Sequence, residues 1–219
     1  MAEGRTTPRQ RAHARTMVEL KRLALAQLAV EGSSGLSLRA LARDLGLVSS
    51  AVYRYVPSRD ELLTLLIVDA YDALGEAAEV ADRRRRRADL RGRWFAIGRA
   101  LRRWALAHPA EWGLLYGSPV PGYVAPAERT TGPGGRVPLL LLRLLVEVEA
   151  AAPRLPAGPP VTAAQRADLE QIRRLAAGPV SDDRLAAGLL AWTSIFGIVS
   201  FELFGQYHNA VDHGGPFLD

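Results

Sequence analysis

A chain of 219 residues, 48% of them apolar, is long enough to bury a sizeable core, which excludes general disorder. The absence of cysteine removes disulfides, thiolate nucleophiles and cysteine-ligated zinc, and fits a reducing, cytoplasmic setting. The net charge of +5 is concentrated: residues 1–60 hold ten Lys/Arg against five Asp/Glu, whereas residues 61–219 hold eighteen of each. That split suits a small basic domain that approaches phosphates, joined to an electrically balanced one.

Residues 1–10 mix Gly, Thr, Pro and Arg without periodicity and read as a flexible basic arm. Arg5, Arg9, Arg11 and Arg15 are not followed by an apolar stretch, and no apolar run is expected to approach the roughly 18 residues of a membrane span, so no membrane partner is expected. From about Arg11, Met17, Leu20, Ala24 and Leu28 recur at helical spacing, and Gly32-Ser33-Ser34-Gly35 ends the run. Ser37 offers an N-cap to a second helix of about two turns, whose face is Leu38, Leu41, Ala42 and Leu45. Gly46 supplies the positive φ of a tight turn, and Ser49 or Ser50 can cap a short third helix through Tyr55, stopped by Pro57. Ser58 with Glu61 forms a capping box ahead of a long fourth helix that runs to the Arg83–Arg87 cluster, where cations complement the helix dipole.

Asp89–His108 is helical, with Trp94, Phe95 and Trp104, and Pro109 starts a short segment through Tyr116. Residues 117–135 read as loop, Leu139–Val148 as an apolar helix, Pro153–Pro160 as a connection, and Thr162–Ala177 as an amphipathic helix. Asp182 or Asp183 caps a final helix through about Tyr207. No useful stretch alternates with period two, so the chain is expected to be all-α.

The second helix, the turn at Gly46 and the short third helix have the spacing of a helix-turn-helix, whose second helix enters the DNA major groove. Val52 can anchor that helix while Ser49, Ser50 and Ala51 lie near base edges. Ser37, Tyr53 and Arg59 sit at helix N-termini or the groove edge, where phosphates bind, and Arg39 could reach bases or phosphates.

The runs Ser37-Leu38-Arg39-Ala40-Leu41-Ala42-Arg43-Asp44-Leu45-Gly46 and Tyr53-Arg54-Tyr55-Val56-Pro57-Ser58-Arg59-Asp60-Glu61-Leu62-Leu63 resemble the TetR family of bacterial transcriptional regulators over residues 11–66. Val48 departs from the family pattern, which usually carries a polar residue after the turn. The resemblance implies a three-helix DNA-binding domain (11–57) and a larger ligand-binding and dimerisation domain (58–219). It implies base or groove contacts from Arg39, Ser49, Ser50, Ala51 and Arg54, and phosphate contacts from Ser37, Tyr53, Tyr55 and Arg59. The partners it implies are double-stranded operator DNA, a small-molecule effector and a second copy of the chain, joined through the last two main helices. Gly188, Gly197 and Ser200 would allow close approach there, and the stripe Leu185, Leu189, Trp192, Phe196 and Val199 could serve the interface or the subunit's own core.

A sensor cavity needs large apolar side chains, and Trp94, Trp104, His108, Trp112, Tyr116, Tyr123, Trp192 and Phe196 are the candidates for lining one or for filling the core. The stretch from His108 through Pro126 resembles a TetR subgroup more weakly, and its Pro/Gly loop could gate a cavity or simply connect helices. Control by a partner protein instead of a small ligand is the alternative regulatory reading. Enzymatic activity is not expected, nor a cofactor or metal. His208 and Asp212, with His213 nearby, are the best metal-site spacing, but Gly214-Gly215-Pro216 already leaves the helix. Asp182-Asp183 sits where a helix cap belongs, with no basic partner expected in a cleft.

Overall fold

The computed structural model describes residues 7–32, 35–151 and 161–209; Arg5, Ser33, Ser34, the Pro153–Pro160 connection, Asp212, His213 and Gly214–Pro216 lie outside them. The described residues form eight α-helices and no strand: α1 (Pro8–Glu31), α2 (Leu38–Asp44), α3 (Arg59–Arg83), α4 (Leu90–Ala107), α5 (Pro109–Tyr116), α6 (Ala127–Ala151), α7 (Ala163–Arg173) and α8 (Asp182–Leu203), with a 3-10 turn at Val52–Arg54. They divide into two compact units, 1–70 with 108–130, and 71–107 with 131–219. Helix α3 begins in the first unit and ends in the second without a break.

In the first unit α1 starts at Pro8, earlier than the periodicity placed it. Thr7 accepts from the Gln10 N–H while the Gln10 side chain accepts from the Thr7 N–H, and Pro8 has no N–H to leave unpaired. Residues 8–10 therefore belong to the helix and not to an arm. Leu20, Leu41, Val52, Val56, Leu62 and Leu63 are fully buried in one cluster, each contributing about 1.5–3 kcal/mol by leaving water. Leu114, Val120 and Tyr123 pack against that cluster, and α5 lies beside α1.

Helix α2 ends as the sequence predicts. Gly46 has φ 67°, its N–H donates to the Arg43 carbonyl at 3.0 Å, and the Leu47 N–H reaches back to Ala42 at 2.8 Å, a Schellman closure. A Cβ on Gly46 would meet nothing within 4 Å, so the constraint is backbone conformation and not space. Gly46→Ala is therefore expected to cost about 1–2 kcal/mol and to lower the thermal unfolding midpoint by several degrees. An unchanged midpoint would show that the turn relaxes to another conformation.

In the second unit α4 and α7 each pack against α8. Residues 127–135 are helical where a loop was expected, despite Pro133 and Pro138 inside α6. Tertiary contact overrides the local signal: Gly134 lies against the ring of Tyr71, and Arg136 spans Glu79 at 3.0 Å and the Asp72 carbonyl at 2.8 Å. The Arg136 hydrogen bonds hold the Glu79 carboxyl below the usual carboxylate range.

Helix α8 is capped by Ser181, whose hydroxyl accepts from the Arg184 N–H at 3.4 Å, and not by Asp182 or Asp183. Those carboxylates occupy the first turn, and Asp182 does have basic partners, Arg173 and, at 3.2 Å, Arg166. The expectation that no apolar run nears membrane-span length also fails. Helix α8 is 22 residues long and contains an 18-residue window of mean hydropathy 1.6, long and apolar enough to cross a membrane by length and composition. Gly, Ala, Thr and Ser interrupt its large apolar residues, which disguises the run without adding charge.

Candidate nucleic-acid interface

The segment after Gly46 is tighter than the α-helix expected through Tyr55. Ala51 donates to the Val48 carbonyl at 2.8 Å, Arg54 to Ala51 at 3.2 Å and Tyr55 to Val52 at 2.9 Å, all i→i+3 bonds, before Val56 closes one i→i+4 bond to Val52 at 3.0 Å. A run of Val, Ser, Ser, Val and aromatics has weak α-helical preference, and Pro57 denies it a further turn. Neither Ser49 nor Ser50 caps this turn: its N-cap residue is Ala51, without a side-chain bond.

The consequence is a sharply two-faced segment. Val52 and Val56 are fully buried, so the core fixes its seat. Ser49, Ser50, Tyr53 and Arg54 are exposed together. Ala51, only 6% exposed, turns its methyl inward, so the predicted groove contact does not fit that side chain. Tyr55 is half-buried against the core, and its ring stacks on His13 of α1 with centroids 4.8 Å apart and planes 20° apart.

Ser37 caps α2 through a 3.4 Å bond from the Ala40 N–H, and its own N–H donates to the Gln27 side chain at 3.0 Å. Arg39, next to it, is exposed. Arg59 is half-buried and lies 3.7 Å from Asp60. Ser58 accepts from the Glu61 N–H at 3.0 Å, while the Glu61 carboxylate goes to Arg129 at 2.7 Å.

Electrostatics separate the cations of this unit into two groups. Lys21 pairs with Asp69 at 2.6 Å, and Arg22 with Glu19 at 2.7 Å, which raises the Arg22 pKa and lowers that of Glu19. Arg9, Arg11, Arg15, Arg39, Arg43 and Arg54 are exposed and form no ion pair among the described residues. The reading from sequence missed His13 and Arg9. They lie at i, i+4 on α1, so the His13–Tyr55 stack brings this face of the helix beside the recognition turn. The findable signal was Thr7-Pro8-Arg9-Gln10, a capping box with proline at the first helical position.

The eight aromatic and histidine candidates disperse. Trp94 and Trp192 line an apolar cavity of about 160 Å³ in the second unit, with Leu141, Leu142, Leu145 and Leu185. The Trp192 indole N–H is buried and has no hydrogen-bond partner among the described residues, and Phe196 meets its ring edge-on at 5.8 Å. Trp104 is buried. In the first unit, Trp112 is fully buried with Tyr116 4.7 Å from it, the Tyr123 hydroxyl bonds to Thr64 at 2.9 Å, and His108 precedes α5 at its N-cap. Among the described residues no cluster of three His, Cys, Asp or Glu is placed to hold a metal.

An all-α chain whose N-terminal unit presents two short helical segments about a glycine turn, with unpaired arginines on the same unit, has the architecture of a helix-turn-helix regulator. The profile described as "Tetracyclin repressor-like, C-terminal domain" matches residues 94–218. HTH-type transcriptional regulators of Mycobacterium tuberculosis (Rv1816) and Mycobacterium bovis (Mb1846) are each 43% identical over 204 residues, covering 90% of this chain and 86% of theirs. The crystal structure of SCO4313, described as a regulatory protein, aligns over 97% of this chain and 95% of its own, with TM-score 0.76 and 34% identity. A protein of unknown function from Rhodococcus sp. RHA1, 23% identical with TM-score 0.66, shares the fold. The chain belongs to the TetR family of helix-turn-helix transcriptional regulators, and is a regulator and not an enzyme.

Proposed function

We propose that this regulator is a cytoplasmic homodimeric repressor, held on a palindromic operator by residues 11–57 and released when residues 58–219 bind a small, largely apolar ligand. The observation that carries the DNA reading is the two-faced recognition turn: buried Val52 and Val56 seat it, and Ser49, Ser50, Tyr53 and Arg54 project from it. Arg54 and Arg39 supply base contacts, Ser37, Tyr53, Tyr55 and Arg59 hold phosphates, and Arg9 extends the basic surface at the rim. Selection of bound sequences from random duplex DNA, at stated salt, tests this. A palindromic consensus with half-sites about 34–36 Å apart is the expected result. No enrichment by folded, dimeric protein would overturn it.

The dimer reading rests on the outer face of α8. Leu185 and Val199 are buried in the subunit's own core, and Gly188 is occupied by Leu145, whose Cδ2 would lie 2.6 Å from a Cβ there. Those positions are not available to a partner. The outward stripe is instead Leu190, Ser194, Gly197, Phe201 and Phe204, at alternating four- and three-residue spacing. Leu190 is 69% and Phe201 52% exposed, and the Ser194 hydroxyl is satisfied by the Leu190 carbonyl at 2.8 Å, leaving an apolar surface. With both Leu190 and Phe201 changed to Glu, sedimentation is expected to report the 23.8 kDa of a single chain, with helicity retained and operator affinity lost. A dimer that survives both changes would move the interface elsewhere.

The effector reading rests on the carbon-lined cavity between Trp94 and Trp192. A carbon-lined space of about this size suits a ligand of one aromatic ring held by apolar contact. Because α3 runs unbroken from one unit into the other, a ligand-driven shift of its C-terminal part would change the spacing of the two recognition turns. Lipophilic ring compounds that raise the unfolding midpoint should also release the selected duplex. A midpoint rise with unchanged DNA affinity would remove the coupling.

A further inference from the structure

Between Leu47, half-buried against the core, and the buried Ala51, three consecutive side chains are exposed: Val48, Ser49 and Ser50. Two carry hydroxyls. The third is an isopropyl group, 71% exposed and absent from the side chains packed on the core of its unit. Its backbone does the local structural work, since the Val48 carbonyl accepts the Ala51 N–H at 2.8 Å, a bond any residue could supply. Neither the core nor the turn therefore requires an apolar side chain here.

A single exposed valine on an arbitrary surface calls for no explanation. This one stands between the glycine turn and the recognition turn, on the surface proposed above to face a duplex. Major-groove base edges present hydrogen-bond donors and acceptors, together with one apolar group, the C5 methyl of thymine. A valine pressed against a donor or acceptor would strip it of water and return nothing. Against the methyl it buries apolar surface on both sides.

We infer that Val48 is a specificity-determining residue that reads one thymine C5 methyl in each half-site. The inference rests on the operator-binding reading, and the experiment separates the two. Each thymine of the selected duplex is replaced singly by deoxyuridine, which removes the methyl and leaves every hydrogen-bonding group. Wild-type protein should lose about fourfold in affinity per half-site at one thymine position, the value of one methyl-sized apolar contact. Val48→Ser should bind the thymine and deoxyuridine duplexes equally at that position, and Val48→Ile should keep the preference.

A Val48→Ser protein that retains the full methyl penalty overturns the assignment, because a merely structural role would weaken binding to both duplexes alike. So does a wild-type protein indifferent to every replacement, a result that needs no variant to fold. Failure to enrich any duplex removes the operator reading and this inference together.

Discussion

Arg54→Ala is expected to weaken binding to the selected duplex by about tenfold or more per half-site, compounded across the two half-sites of a dimer, with base preference relaxed at one position. Arg54 is exposed on the recognition turn and forms no ion pair among the described residues, so its guanidinium is available without first breaking a protein contact. A bidentate arginine on guanine O6 and N7 discriminates by about 1–3 kcal/mol, and alanine leaves those acceptors unsatisfied. Tyr53→Phe removes a hydroxyl assigned to phosphate. It should lower affinity uniformly across sequences and leave the consensus intact, because phosphate contacts set register without reading sequence. Repeating the selection with each variant, and measuring affinity across a salt series, distinguishes the two roles. An Arg54→Ala protein with an unchanged consensus would assign the arginine to the backbone and shift base reading towards Arg39.

What the sequence revealed of this surface depended on how local each determinant is. Ser37, Gly46 and Pro57 act within four residues of themselves, so the cap, the positive-φ turn and the end of the recognition turn were all legible. The inward turn of Ala51 was not, because one position along an i→i+3 turn moves a side chain from one face to the other. The His13–Tyr55 stack joins residues 42 positions apart, and no local pattern announces it. Helix α6 failed for the same reason. Gly132-Pro133-Gly134-Gly135 is a strong breaker in isolation, and contacts with α3, among them those of Gly134 and Arg136, hold it helical. On α8 the reading left interface and core uses open for Leu185, Leu189, Trp192, Phe196 and Val199; Leu185 and Val199 are buried in the subunit, and the more exposed Leu190 and Phe201 lay outside that stripe.

Arg93→Ala is expected to be the most destabilising single change in the second unit. Arg93 follows the Arg83–Arg87 cluster by six residues, yet its side chain is 2% exposed. Its Nε donates to Asp82 Oδ1 at 2.6 Å and its Nη2 to Asp82 Oδ2 at 3.2 Å, while Nη1 donates to Glu147 Oε2 at 2.6 Å. Arg87 closes the group with a 2.6 Å bond to Glu147. One guanidinium thus ties α3, α4 and α6 together, and its hydrogen bonds to Asp82, ahead of those to Glu147, raise its pKa further above the ordinary arginine value. A buried pair of this kind contributes little beyond an apolar substitute of similar shape, but breaking it by removing one partner leaves a charge without water or counter-charge. Alanine at 93 leaves the buried Asp82 carboxylate with only the more distant Arg87, 3.9 Å away, at a cost of about 3 kcal/mol and a midpoint loss on the order of 10 °C for a chain of this size. Arg93→Lys should recover only part of that, since an ammonium cannot bond both Asp82 oxygens and Glu147 with the geometry of a planar fork. Combining Arg93→Met with Asp82→Leu tests the cause directly. If the stranded charge is responsible, the double variant will be more stable than Arg93→Met alone; if lost packing is responsible, the two changes will add.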